Sequence, residues 1–529
     1  MKVDRVRGVG VFEALEVRAL MSYALLDGDG DGTRETLVVD AAAKNQSVII
    51  TEVAGGESTG DVTVSFDANG NGLFTDAGEL SAQVYRGLEV FDISLGAGND
   101  RFEYRRSGEV PIGIDSRIEW RRVLFLDMGA GNDSVVVSVS LVNSQSGAGN
   151  EYASLSMEIE LDAGNDTVDF TYAAPGEAPT SIFARIEGGL GNDQLDWTVG
   201  DYGWDGSEEL ARGETSRLVA VMGAGADLVS VSGGGAYAVR TSVGMEIDLG
   251  AGGDRFELGP GRIASGSNGS VDLARTDANL SLSVDGGAGS DSLSLTAPSL
   301  GDSTGFSSAG RFSASMRGGA GSDTASVFVP LGFEMAGALR RDGGPGTPYQ
   351  AVVARSVFSI ALDGGEGADA LDSRVQRFGP GSPIVSAGSD FSLSLIGGDG
   401  KDTLRADLDD FFVRGGSYAT ADGSTVPGSS LPDVRMLFDG GQGNDIIDVA
   451  GTIVINVANP EGDATRLRVT LLGGAGDDRI FADSLRLAGE ESLENRRSLI
   501  WASGGSGKRD LLLGFFDPRY TLTTGFENR

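Results

Sequence analysis

Phe358-Ser-Ile-Ala-Leu-Asp-Gly-Gly-Glu-Gly-Ala-Asp-Ala-Leu-Asp-Ser-Arg-Val375 holds the structural grammar of the whole chain. Phe358, Ile360 and Leu362 alternate with Ser359 and Ala361. Such a period of two puts one set of side chains on one face of a strand and the other set on the opposite face. Gly364-Gly-Glu-Gly-Ala-Asp369 interrupts the strand with a turn, because glycine tolerates positive φ. A second alternating run follows. The apolar residue two places after the aspartate anchors the turn, as do Leu195, Phe256, Leu293 and Ile447 in other copies.

The unit recurs thirteen times between Leu95 and Leu513. Its aspartates are Asp100, Asp133, Asp166, Asp193, Asp227, Asp254, Asp291, Asp323, Asp369, Asp402, Asp445, Asp478 and Asp510. Successive gaps are 33, 33, 27, 34, 27, 37, 32, 46, 33, 43, 33 and 32 residues. The variable part follows the second strand, so insertions fall on one side of the structure. A lone strand–turn–strand unit cannot bury its apolar face, and stacking gives a continuous core. The expected fold is all-β: an elongated right-handed parallel β-helix or β-roll solenoid of about thirteen coils, with the Gly–Asp turns aligned on one edge. The competing arrangement is an antiparallel hairpin meander or a set of sandwiches. The expected division is an N-terminal segment 1–22, a β cap with two acidic loops 23–94, the repeat solenoid 95–513 and a C-terminal cap 514–529.

Composition narrows the function. Glycine accounts for 83 of 529 residues and proline for only 14, which excludes collagen and proline-rich linkers. With 41 basic and 77 acidic residues the net charge is −36, which repels nucleic acid and anionic lipid and attracts divalent cations. The chain has no cysteine and no histidine. Disulfides, His- or thiolate-based zinc sites, Ser-His-Asp catalysis and Cys-His catalysis are thereby excluded. No run reaches the ~18 apolar residues that a membrane span requires.

A carboxylate at a fixed place in a turn that only glycine can make suits a hard cation such as calcium, which takes six to eight oxygens from carboxylates and carbonyls. Unit charges ~5 Å apart repel by roughly 0.8 kcal/mol in water and ~3 kcal/mol at an effective dielectric of 20. A dozen stacked pairs would oppose folding by an amount comparable to a domain's whole stability of ~5–15 kcal/mol. Bound calcium would turn that repulsion into cross-linking.

The grammar G-G-x-G-x-D-x-U-x, with U apolar, resembles the hemolysin-type calcium-binding (RTX) repeat over about residues 95 to 513. The resemblance implies a parallel β-roll with calcium between successive turns and the thirteen aspartates as ligands. Three departures leave the ion count open. The copies are separated by a full extra excursion. Leu95, Met128, Met222 and Leu249 replace the first glycine and Asp162 the second. The last copy, Gly504 to Asp510, carries one extra residue.

Two upstream loops add candidate ligands. Asp27, Asp29 and Asp31 stand at positions one, three and five, and Glu35 at position nine, of a stretch that resembles the first nine positions of an EF-hand-like loop. Asp67, Asn69 and Asn71 begin another, whose Glu79 falls at position thirteen instead of twelve. The competing reading is an ordinary Asx- and glycine-rich turn. The N-terminal run Phe12-Glu-Ala-Leu-Glu-Val-Arg-Ala-Leu-Met-Ser22 resembles the short element on exported and surface proteins of planctomycete bacteria.

These readings lead to a non-catalytic, calcium-binding structural or adhesion protein, extracellular or on the cell surface, with surface polysaccharide or protein as partner. One alternative is a polysaccharide lyase or epimerase on a β-helix, although no carboxylate or arginine cluster stands out from the repeat. The other is a recognition module using aromatic residues such as Trp120, Trp197 and the Asp201-Tyr-Gly-Trp204 excursion.

Overall fold

The computed structural model describes residues 22–27, 35–41, 45–53, 61–76, 79–109, 119–142, 152–175, 180–203, 215–233, 242–259, 262–263, 279–297, 299–300, 311–329, 338–342, 350–354, 357–375, 390–408, 411–415, 418–419, 425–426, 433–457, 466–482, 485–488, 499–507, 509–513 and 521–526. Among these residues there is no helix. The strands assemble into a 19-stranded sheet, a 16-stranded sheet and four small side sheets.

Each repeat gives one strand to each large sheet, and the glycine motif makes the corner between them. Val357–Gly367 lies in the first sheet, parallel to Arg311–Ala320 on one side and Asp390–Gly400 on the other. Ala370–Val375 lies in the second, parallel to Thr324–Val329 and Thr403–Asp407. Equivalent motif positions meet: Phe312, Phe358 and Phe391 share one row, and Gly319, Gly365 and Gly398 another. The repeats are thus parallel, and the hairpin-meander alternative does not describe them. Among the described residues, antiparallel pairing is confined to the N-terminal strands and to side hairpins such as Ala338–Asp342 with Gln350–Ala354. That hairpin occupies the longest gap, between Asp323 and Asp369, yet the register of the large sheets continues across it.

The alternation read from the sequence is the alternation of burial. Phe358, Ile360 and Leu362 are fully buried. Stacking in register brings the rings of Phe312, Phe358 and Phe391 together at centroid distances of 5.0 and 5.4 Å, and Phe411 from a side strand extends the row at 5.0 Å from Phe391. Trp197 stacks on Phe170 at 3.8 Å, and both Trp120 and Trp197 are core residues. Neither is a surface platform for sugars. Trp204 lies outside the described residues, and the side chains of Asp201 and Tyr202 are not described.

The N-terminal region joins the same sheets. Thr36–Asp40 runs parallel to Val90–Ser94, and Ser47–Val53 runs parallel to Arg101–Glu109. Asp61–Asp67 and Leu80–Tyr85 then add antiparallel strands outside Ser47–Val53. Asn45 and Gln46 therefore stand in register with the fifth and sixth positions of the repeats, with Gln46 in the aspartate's place. At the other end, Leu511–Leu513 and Thr521–Thr524 are the last strands of the second and first sheets. The segment resembling an export element lies outside the described residues apart from Ser22.

The corner glycines are needed twice over. Gly367 has φ +139°, and a Cβ there would lie 1.4 Å from the carbonyl oxygen of Gly321 in the preceding coil. Backbone packs on backbone at this point, so no side-chain adjustment relieves the clash. Asp162, which replaces a second-position glycine, has φ 65°, a conformation that aspartate tolerates better than most residues. Gly367→Ala is expected to destabilise the protein by more than about 2 kcal/mol in denaturant unfolding. Gly72→Ala, where φ is +78° and no atom lies within 4 Å of the added Cβ, should cost only about 1–2 kcal/mol. Equal losses at the two sites would show that close stacking of the corners is not what selects glycine.

Candidate functional site

All thirteen motif aspartates form one continuous column. The backbone N–H of each donates to Oδ1 of the next, from Asp100 to Asp133 and onward to Asp510, at 2.6–3.1 Å. Gln46 starts the column by donating its N–H to Asp100 at 2.5 Å. Every one of these carboxylates is at most 2 % exposed. Oδ1 thus satisfies a backbone donor that the corner would otherwise bury unpaired. Oδ2 of every one of the thirteen is buried without a hydrogen-bond partner.

A second ladder runs beside it in the opposite sense. Asn45, Asn99, Asn132, Asn165 and Asn192 stand one residue before the sixth position. Each accepts on Oδ1 the N–H of the equivalent residue in the following coil, at 2.7–3.0 Å, ending at Ala226. Asn444 does the same for Asp477. Sequence reading missed this role, although the recurrent Asn-Asp pair signalled it.

Burial leaves the unpaired carboxylate oxygens poorly solvated and raises the pKa values of the twelve aspartates from Asp100 to Asp478, against the lowering effect of the N–H donors. Asp133, Asp227 and Asp445 rise to about 7, with neighbouring column aspartates adding repulsion. Asp166, Asp291, Asp402 and Asp478 rise to about 6 for the same reasons. Asp100, Asp193, Asp254, Asp323 and Asp369 are also raised, chiefly by burial.

The first motif position decides what faces Oδ2. At Gly364 the point where a Cβ would stand is 2.6 Å from Oδ2 of Asp369 and 2.4 Å from the carbonyl oxygen of Gly397 in the next coil. The same pairing of own carboxylate and next-coil carbonyl recurs at Gly188, Gly286, Gly318, Gly397, Gly440, Gly473 and Gly504. At these eight corners, which belong to Asp193, Asp291, Asp323, Asp369, Asp402, Asp445, Asp478 and Asp510, both oxygens crowd the glycine, and no side chain stands between them. The other five corners carry buried Leu95, Met128, Leu161, Met222 or Leu249 at this position. At the eight glycine corners Oδ2 and the next-coil carbonyl would give a hard cation two of the six to eight oxygens it takes. At Asp100, Asp133, Asp166, Asp227 and Asp254 a buried apolar side chain starts from the same place.

The upstream loop at Asp67 is organised differently. Asp67 is 1 % exposed and spends both oxygens on its own loop. Oδ1 accepts from the N–H groups of Asn69 and Gly70, and Oδ2 from that of Gly72. Asn69 and Asn71 accept from the N–H groups of Asn71 and Leu73, and both donate through Nδ2 to Oδ2 of Asp76. Asp76, not singled out from the sequence, is the hub of an Asx-rich turn. Asp29 and Asp31 lie outside the described residues, and Asp27 closes the segment after Ser22–Leu26.

Among the described residues no three or more Asp or Glu side chains converge as a metal cluster, so any cation site at the corners must draw on backbone carbonyls. Comparison with family models, curated proteins and solved structures found no match.

A pH test follows from the raised pKa values. A carboxyl whose folded pKa exceeds its unfolded value of about 4 contributes stability below that value and loses it as pH rises through the folded pKa. In chelator and without added metal, the melting temperature is expected to fall as pH rises from about 5 to 8. The slope should flatten when Asp133, Asp227 and Asp445 are together changed to Asn. A melting temperature that stays level or climbs over this range would contradict the buried column.

Proposed function

We propose that this chain is a calcium-stabilised, non-catalytic structural or adhesive repeat protein that works outside the cell or at its surface. The observation that carries the reading is the set of thirteen buried Oδ2 atoms without a hydrogen-bond partner. A single desolvated carboxylate is costly, and a column of them at strand spacing, ~4.8 Å, adds repulsion between neighbours. A divalent cation would supply the positive charge this column lacks. The eight glycine corners are the ones that would hold it, through Oδ2 and the facing carbonyl oxygen of the next coil. The likeness of the motif to the RTX repeat supports the same assignment.

The rest of the molecule is consistent with a scaffold. Both large sheets present mixed polar outer faces over a length set by stacking. The proposed partners are surface polysaccharide or protein, and the acidic surface disfavours nucleic acid.

Calcium titration of the chelated protein at pH 8 should raise its melting temperature by several degrees. Asp369→Asn separates the two uses of the carboxylate. Its amide oxygen still accepts the N–H of Asp323, while the second atom becomes an uncharged donor. In chelator this variant should equal or exceed the wild type in stability, and in calcium it should fall below it by about 1–2 kcal/mol. Identical melting of the wild type with calcium and with EDTA would sink the calcium reading.

A further inference from the structure

The second concentration of buried charge lies in the first coils, at the strand ends remote from the aspartate column. Glu52 on Ser47–Val53 accepts hydrogen bonds from five donors. They are Tyr104 Oη at 2.7 Å, Arg106 Nη1 at 2.6 Å, Trp120 Nε1 at 3.2 Å, and Arg122 Nε and Nη2 at 2.5 and 3.1 Å. Both arginine side chains and Glu52 are at most 1 % exposed. The group joins both large sheets, since Tyr104 and Arg106 lie on Arg101–Glu109 and Trp120 and Arg122 on Glu119–Asp127.

The two arginines are not equally served. Arg122 uses Nε and Nη2 on Glu52 and Nη1 on the carbonyl of Arg121. Arg106 uses Nη1 alone, and its Nε and Nη2 are buried without a partner. These two atoms form the side-on edge of a guanidinium, a fork that matches the two oxygens of a carboxylate. The charges do not balance either. Burial pushes Glu52 up, but Arg122 and Arg106 hold it below the usual carboxylate range, so it is ionised. Two guanidiniums against one carboxylate leave a net charge of +1, and arginine does not shed its proton in proteins. Glu103 pairs with Arg101 on the opposite face of the strand, and the field of Glu89 acts on Arg122. Glu89 offsets part of this charge at Arg122, while the Nε and Nη2 edge of Arg106 stays buried and unpaired, which is costly.

We propose that Arg106 binds a small monocarboxylate side-on through Nε and Nη2, between the two sheets, as the counterion of this cluster. A monovalent planar anion restores neutrality, whereas a divalent phosphate would reverse the charge, and chloride is a single acceptor atom facing two donors. Trp120 covers one face of the Arg106 guanidinium, with 4.7 Å between its ring centroid and Cζ, so the edge formed by Nε and Nη2 is the side left for the ligand.

The full chain is titrated with 13C-formate at fixed ionic strength, and formate line width and protein melting temperature are followed. The wild type should show saturable line broadening and a rise in melting temperature of about 1–3 °C at saturation. Arg106→Met should weaken formate binding at least tenfold. Glu52→Gln raises the cluster's charge to +2 and should tighten binding at least threefold, which keeps the test decisive if Arg106→Met does not fold. No saturable response in the wild type, an undiminished response in Arg106→Met, an unchanged one in Glu52→Gln, or an equal response to chloride would each overturn the proposal. The outcome is independent of calcium, because the cluster shares no residue with the aspartate column.

Discussion

The structure depends on one backbone donor per coil. Where a strand of the first sheet turns into the second, the N–H of the sixth motif residue points along the stack at a place that regular sheet pairing does not serve. Burying it unpaired would cost about 1–3 kcal/mol in every coil. The aspartate of the next coil supplies the acceptor, twelve times in succession. A side chain delivering a carboxylate to that point must come from a corner in register, so the column holds the coils in step whatever lies between them. That is why the interval from Asp323 to Asp369 can hold 46 residues while the N–H of Asp323 still reaches Asp369 at 2.8 Å.

Glycine and aspartate at the corner are two parts of one solution. Close approach of successive backbones brings the N–H and the carboxylate within reach, and only glycine permits that approach at Gly365 and Gly367, where an added Cβ would lie 2.0 and 1.4 Å from the carbonyl oxygens of Gly319 and Gly321. The same closeness strands the second carboxylate oxygen. Each corner therefore trades a satisfied donor for a desolvated acceptor, and the raised pKa values express that trade. Asn45 to Asn192 show a milder version: an amide at the exposed fifth position serves the neighbouring N–H without bringing a charge.

Much of this was legible in the sequence because the repeat is local. Alternation around Phe358 and Leu371 predicted the strands and their buried faces, and the glycines and aspartates predicted the corners. What escaped was either masked by substitution or non-local. The Gln46 corner has neither glycine nor aspartate in the expected places, and only pairing with Asp100 reveals it. Leu161 hides the loss of a first-position glycine beside the more conspicuous Asp162. Trp120 and Trp197 looked available for ligands, but alternation in their strands turns them inward. Arg106 and Arg122 lie 54 and 70 residues from Glu52, and no spacing rule joins them to it. Asp76 was overlooked because an EF-hand template looks for glutamate at position twelve, while the Asp67 loop closes its bonds on position ten.

The two charged interiors of this molecule are of opposite sign and solve opposite problems. The aspartate column repeats one acidic device along the whole stack, so its electrostatic cost grows with every coil added. The Glu52 cluster occurs at the start of the stack, where antiparallel strands from Asp61–Asp67 and Leu80–Tyr85 meet the parallel array. There the two ladders begin, with the N–H of Gln46 on Asp100 and the oxygen of Asn45 on Asn99, and no earlier coil adds to them. A carboxylate taking five hydrogen bonds from four side chains on two sheets supplies a second constraint: a one-residue slip of either strand would turn its arginine to the opposite face and strip Glu52 of that strand's hydrogen bonds. Registry set once at this end is then copied, coil by coil, by the aspartates.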